Sequence, residues 1–199
     1  MGVLCQSVLG KIMPLSVPVS RRLYHNRVIR CIGYRRDDDL WDIEGHLIDT
    51  KSYSFPSEHR GGKILPGEPL HDMWVRLTID DNLLIHAIEA VTDSSPFDIC
   101  PNVAERFQLL KGMTIGTGWN RQVHELLGGV RGCTHLVELL RPVATTAVQT
   151  IFTATRDKPR PVAQSIQDTV QPDILDSCHA LATDSVVVQM HWPQFYTGK

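Results

Sequence analysis

The chain has 199 residues, a formal net charge of −2 and ordinary apolar and charged fractions, which fits one globular domain able to bury its own core. A charge so near neutral, with no long basic run, makes nucleic acid and anionic membrane poor partners. No apolar stretch is long enough to span a bilayer, so the expected partner is a small-molecule substrate, with a homo-oligomer left open.

The first dozen residues, through Ile12, are mildly apolar but lack a basic segment and a small-residue cleavage site. Gln6 stands where a myristoylation signal needs Ser or Thr, and Met13 offers an alternative start. The expectation is a disordered tail over 1–12 and a single domain over 13–199. The cytoplasm is then the default, and the five cysteines are expected to be thiols or metal ligands rather than disulfides.

Residues 22–34 read as a first strand, ending in the turn Arg35-Arg36-Asp37-Asp38-Asp39. Residues 41–49 alternate as a second strand and form a hairpin with the first. Alternation puts Asp42, Glu44 and His46 on one face, with Trp41 and Ile43 on the other. A Gly-, Pro- and charge-rich loop follows over 51–69, and a loop that long is more often functional than idle. Residues 73–80, the turn Asp81-Asn82 and residues 83–92 form a second hairpin. A two-residue turn there pairs Trp74 with Glu89.

The helical half begins near residue 96. Short helices are expected over 101–110, with Pro101 in the first turn, and over 120–127. Gly128-Gly129-Val130-Arg131-Gly132 then leads into a long helix with Leu136, Leu139, Leu140, Val143, Ala147, Val148 and Ile151 at three- and four-residue steps. Pro142 should kink or split it. Residues 155–171 read as an exposed linker, a last helix opens at Pro172, and 185–190 suggest a terminal strand. The fold class is α+β: an antiparallel sheet of two N-terminal hairpins (about 22–92) packed against C-terminal helices (about 96–190).

Cys133 sits where the glycine loop meets the long helix, a position that favours a thiolate. The plainer alternative is a small apolar cysteine packed under the loop. Cys100 and Cys178 also fall at turns or helix ends, His135 lies two residues past Cys133, and His179 adjoins Cys178. Three thiolates and an imidazole suit zinc or iron. No CxxC pair is present, so three unrelated buried cysteines remain the alternative. Cys5 and Cys31 have no such placement.

In the β half, Leu70-His71-Asp72-Met73 leads into the strand bearing Arg76. His71 and Glu44 are the candidates for proton transfer; the alternative for the Asp42, Glu44 and His46 face is a solvated surface with an Asp/Glu–Arg cross-strand pair. There is no Walker loop, dinucleotide fingerprint, HExxH or nucleophile elbow, which argues against nucleotide-driven chemistry and serine hydrolysis.

The runs Gly33-Tyr34-Arg35-Arg36-Asp37-Asp38-Asp39-Leu40-Trp41-Asp42-Ile43-Glu44-Gly45, Leu70-His71-Asp72-Met73, Gly132-Cys133-Thr134-His135-Leu136 and Cys178-His179-Ala180-Leu181 resemble the bacterial domain-of-unknown-function family 2889 (DUF2889). That resemblance implies a loose association with the catabolism of aromatic or steroid-like compounds. The order of Cys100, Cys133 and Cys178 is also similar to iron–sulfur cluster scaffold proteins, which place three cysteines on a β-then-α fold and bind zinc or a cluster. Asn102 stands where the scaffold has an aspartate, and His179 follows its cysteine instead of preceding it. Both departures put cluster assembly and release in doubt while leaving metal binding intact.

Together these readings give an expectation of zinc or iron, or an iron–sulfur cluster, held by Cys100, Cys133 and Cys178 with His135 or His179. An enzyme of lyase, hydratase or hydrolase type would then use His71 or Glu44 for proton transfer in a catabolic pathway. The alternatives are a non-catalytic iron–sulfur or zinc scaffold, and a metal-free ligand-binding or interaction protein.

Overall fold

The computed structural model describes residues 15–155, 172 and 174–198; the expected tail over 1–12 and nearly all of the expected linker lie outside them. Four long strands, β1 (His25–Arg35), β2 (Trp41–Lys51), β5 (Pro69–Ile79) and β6 (Ile85–Ser94), form one antiparallel sheet in the order β1-β2-β5-β6. The architecture is α+β, with the sheet built first and helices laid on one of its faces. The 51–69 stretch carries structure of its own: β3 (Phe55–Ser57) and β4 (Gly62–Ile64) pair in a small separate hairpin.

Strand β2 shows why the sheet has one buried face. Trp41, Ile43, Gly45, Leu47 and Asp49 are buried, and every residue between them is half-buried, the period-two signature of a sheet covered on one side. Met73, Val75 and Leu77 of β5 continue the same face. The β5–β6 register differs from the expected one, because Trp74 pairs with Val91 rather than Glu89. Asp80 causes the shift. Its side chain accepts from the backbone N–H of Asn82 and of Leu84, and Leu83 takes a positive φ. The turn therefore runs longer than two residues, and a bulge lies at Thr78/Ile79.

The core face is roofed by α2 (Thr134–Thr155), which lies across β1, β2 and β5. Leu136, Leu139, Leu140, Val143, Ala147 and Ile151 are its buried stripe. Pro142 sits inside this helix without dividing it. Gly45 and Gly33 let α2 approach the sheet: a Cβ on Gly45 would collide with Val143 and Leu139, and one on Gly33 with Thr150. Over β6 the cover is a 3₁₀ helix, Cys100–Leu110, which buries Phe107 and Leu110. Helix α1 (Trp119–Leu127) follows, burying Trp119, Val123 and Leu127.

The last part of the chain departs from expectation. Residues 174–181 form turns and a 3₁₀ helix, His179–Leu181, instead of a regular helix. Residues 186–191 form a short helix, α3 (Val186–His191), not a strand. The valine run favours a strand, but it pairs with none of the described strands, and the Ser185 side chain caps the turn by accepting from Val188 N–H at 3.2 Å. Among the described residues, no helix is long and apolar enough to cross a membrane.

Candidate functional site

Three adjacent strands bring polar residues into line at one end of the buried face. Arg27 on β1 pairs directly with Asp49 on β2, and Asp49 pairs directly with His71 on β5. All three are in phase with residues that face the core: Asp49 with Leu47, His71 with Met73, and Arg27 with Cys31, which packs against it. The regular pairing of β2 with β5 breaks just beyond, between Asp49 and Thr50, as sheets often do beside functional sites. The roof over this end is the start of α2. The Cys133 carbonyl accepts the first helical bond, from Val137 N–H, and His135 lies in the first turn.

Asp49 is the hub. It is fully buried, yet each of its oxygens accepts two close contacts. Arg27 donates through Nε to Oδ1 at 2.8 Å and through Nη2 to Oδ2 at 2.7 Å. His25 Nε2 lies 3.0 Å from Oδ1, and His71 Nδ1 lies 3.0 Å from Oδ2. Arg27 fills one acceptor position on each oxygen, and an imidazole nitrogen faces each oxygen from the other side. His135 Nε2 is 3.9 Å from Oδ2, and its ring lies over that of His71 with centroids 3.7 Å apart. One turn along α2, Glu138 holds the other side of Arg27 at 2.8 Å.

This arrangement sets the charge states. Burial pushes the Asp49 carboxyl up, but the Arg27 fork and the His71 and His25 contacts outweigh it and bring the pKa down to about 2. The His71 imidazole is lowered, first by burial and then by the nearby His135, against the pull of Asp49. Burial likewise lowers His135, helped by Arg27 and opposed by Asp49 and Glu138. Near neutral pH the site thus presents one ionised carboxylate and two neutral imidazoles, the protonation states a metal ion requires. Asp49, His71 and His135 each offer a ligand atom, and these atoms all lie within 4.8 Å of one another.

The expected cysteine centre does not form. Among the described residues, the group that satisfies ligand spacing is Asp49, His71 and His135, and Cys100, Cys133 and Cys178 are not brought together. Cys100 opens the 3₁₀ helix packed on β6, whereas Cys178 is exposed in the C-terminal turns beside His179. Only Cys133 reaches the site, with its Sγ 3.9 Å from His135 Nδ1 and 3.9 Å from Met73 Sδ. Glu44 lies on the opposite face of the sheet, where it accepts from Arg76 Nε at 2.9 Å while Arg76 also holds Glu89. That is the cross-strand pair of a solvated face, so Glu44 takes no part in this site. His71 and His135 are the two expected residues that the fold does unite.

Sequence reasoning missed Asp49, Arg27, His25 and Glu138. A signal was available for Asp49: it is the one carboxylate of the strand in step with Trp41, Ile43 and Leu47, and a carboxylate in phase with a core needs partners.

An antiparallel sheet roofed by one long helix, with a largely buried Asp–His–His group at the helix start, defines the class of protein. The chain matches the sequence model of the family described as "Protein of unknown function (DUF2889)" over residues 25–149, and it belongs to that family. The matched stretch contains every residue of the site and excludes Cys178 and His179. No curated protein and no solved structure matches the chain, so the likeness to iron–sulfur scaffolds has no support.

Proposed function

We propose that Asp49, His71 and His135 hold a zinc or iron ion, and that the protein uses it to convert a small organic molecule by hydration, elimination or hydrolysis. The observation that carries this reading is the three-ligand group, with Asp49 and His71 buried and His135 half-buried, already in its deprotonated forms, with ligand atoms within 4.8 Å of one another. Two imidazoles and one carboxylate suit either metal and leave positions open for water or substrate. An ion so held acts as a Lewis acid on a bound carbonyl or water. The protein's own part is to fix the ligands: Arg27 and His25 orient Asp49, and Glu138 orients Arg27.

Metal analysis of the purified protein, with an ultraviolet–visible spectrum, tests this. About one equivalent of zinc or iron, lost in His71→Ala and in His135→Ala, supports it. A folded protein that takes up neither metal overturns it. A brown cluster spectrum would favour the scaffold alternative.

One observation favours a second reading. The Arg27 fork already neutralises Asp49, so the site can also work without metal, with Asp49 orienting His71 for general acid–base chemistry. Retention of a substrate-dependent activity in chelator-treated protein would select that reading.

A further inference from the structure

Away from this site, a cavity of about 760 Å³ lies between α2, the start of α1 and the segment after Pro172. Its volume is in the range of small-molecule sites. Along α2 it is lined by Arg141, Thr145, Val148 and Phe152, positions four, three and four residues apart that share one helical face. At 1.5 Å per residue that row runs for about 16 Å. Trp119 and Leu175 help to close the other sides, so the walls are mainly apolar.

The polar groups of this cavity are unevenly satisfied. Its two aspartates are engaged: Asp81 accepts from Trp41 Nε1 at 2.8 Å and from Arg35, and Asp176 accepts from Thr183 N–H at 2.8 Å. The donors are not. Among the described residues the Arg141 guanidinium has no hydrogen bond or ion pair. Trp119 is only 5% exposed, and its Nε1 is buried without a partner, a condition native proteins rarely leave unresolved. An apolar slot with a row of aliphatic and aromatic side chains and an unpaired cation at one end complements a molecule of the opposite design.

We propose that this cavity binds an elongated apolar molecule bearing a carboxylate, with Arg141 pairing the carboxylate and the Val148–Phe152 face of α2 taking the apolar body. Arg141 offers a planar fork that matches a carboxylate bidentately. The cavity is lined by none of the Asp49 group, so the proposal stands apart from the metal reading.

Titration calorimetry with dodecanoate and with its methyl ester tests it. The expected result is one saturable site for dodecanoate, with the ester weaker by about tenfold, a difference of about 1.4 kcal/mol. Arg141→Gln should bring dodecanoate down to the ester's affinity and leave the ester unchanged. Val148→Trp, which fills the slot, should abolish binding of both. Thr145→Trp, at an exposed lining position, serves the same purpose should Val148→Trp fail to fold. Absence of saturable binding, an unchanged preference for carboxylate in Arg141→Gln, or full binding in a folded slot-filling variant would each overturn the proposal.

Discussion

His71 Nδ1 lies 3.0 Å from Asp49 Oδ2, and the two residues are direct cross-strand partners on the face of the sheet that otherwise holds the core. A site on paired strands is held by backbone hydrogen bonds rather than by a loop, so its geometry is set before any ligand arrives. The cost is a carboxylate sunk among apolar neighbours, tolerable only with its donors in place.

Asp49→Asn tests that dependence. The change keeps the side chain's size but removes its charge, leaving Arg27 without its acceptor fork. The expected loss is about 3 kcal/mol in urea unfolding, together with loss of bound zinc or iron. A variant as stable as the parent would mean that the charge at position 49 contributes nothing to the fold.

Acid should weaken the protein in two stages. His71 and His135 are lowered below their ordinary value of 6.5 in the folded state. As pH falls below that value the unfolded chain takes up protons that the folded chain resists, so stability declines. Asp49, held at about 2 against an ordinary 3.8, contributes stability that is present above pH 3.8 and lost as pH falls toward 2. Its share is of the order of 2 kcal/mol. Unfolding free energies measured between about pH 7.5 and pH 3 should fall monotonically, and a rise between pH 7 and 5 would contradict these shifts.

The sheet and the long helix were legible because their periodicity is local: β2 alternates along its whole length, and α2 carries its stripe from Leu136 to Ile151. The site was only half legible. His71 and His135 stood out as polar residues at element ends, but Arg27 and Asp49 acquire their meaning from register, and a single strand does not announce its partners. The cysteine reading failed for a related reason. Placement at element ends says nothing about which ends meet, and Cys178 ends exposed in the C-terminal turns, ungrouped with Cys100 or Cys133. The register of β5 with β6 was misread because the longer turn depends on the Asp80 side chain.

Cys100→Ala and Cys178→Ala separate the two ligand sets. Neither residue belongs to the Asp49 group, so both variants should keep the metal content of the parent. Loss of metal in either would restore the cysteines as ligands and remove the Asp–His–His assignment.

Gly45 tests the seat of the roof. An alanine Cβ there would collide with Val143 and Leu139, whereas at Gly33 it meets only the Thr150 side chain nearer the sheet edge. Gly45→Ala should therefore cost about 1–3 kcal/mol, and Gly33→Ala less, because the Thr150 side chain can turn aside. Because α2 carries His135, Gly45→Ala should also weaken metal binding at unchanged ligand chemistry. Equal stability of the two variants by thermal unfolding would show that α2 does not rest on Gly45.

Arg27 offers the sharpest test, since it and a metal ion would serve Asp49 in the same electrostatic role. Arg27→Ala leaves a fully buried carboxylate with no permanent cation beside it, which should cost about 3–5 kcal/mol. A divalent ion bound by Asp49, His71 and His135 restores positive charge at that point. Zinc at a hundredfold excess over its dissociation constant adds about 2.7 kcal/mol to any protein that binds it only when folded. In Arg27→Ala the gain should exceed that of the parent at equal zinc, because Asp49 no longer divides its oxygens with a guanidinium. Thermal unfolding of both proteins with and without zinc measures the difference. A midpoint in Arg27→Ala that zinc leaves unmoved would assign the whole cationic role at Asp49 to Arg27, and the metal-free acid–base reading of His71 would take its place.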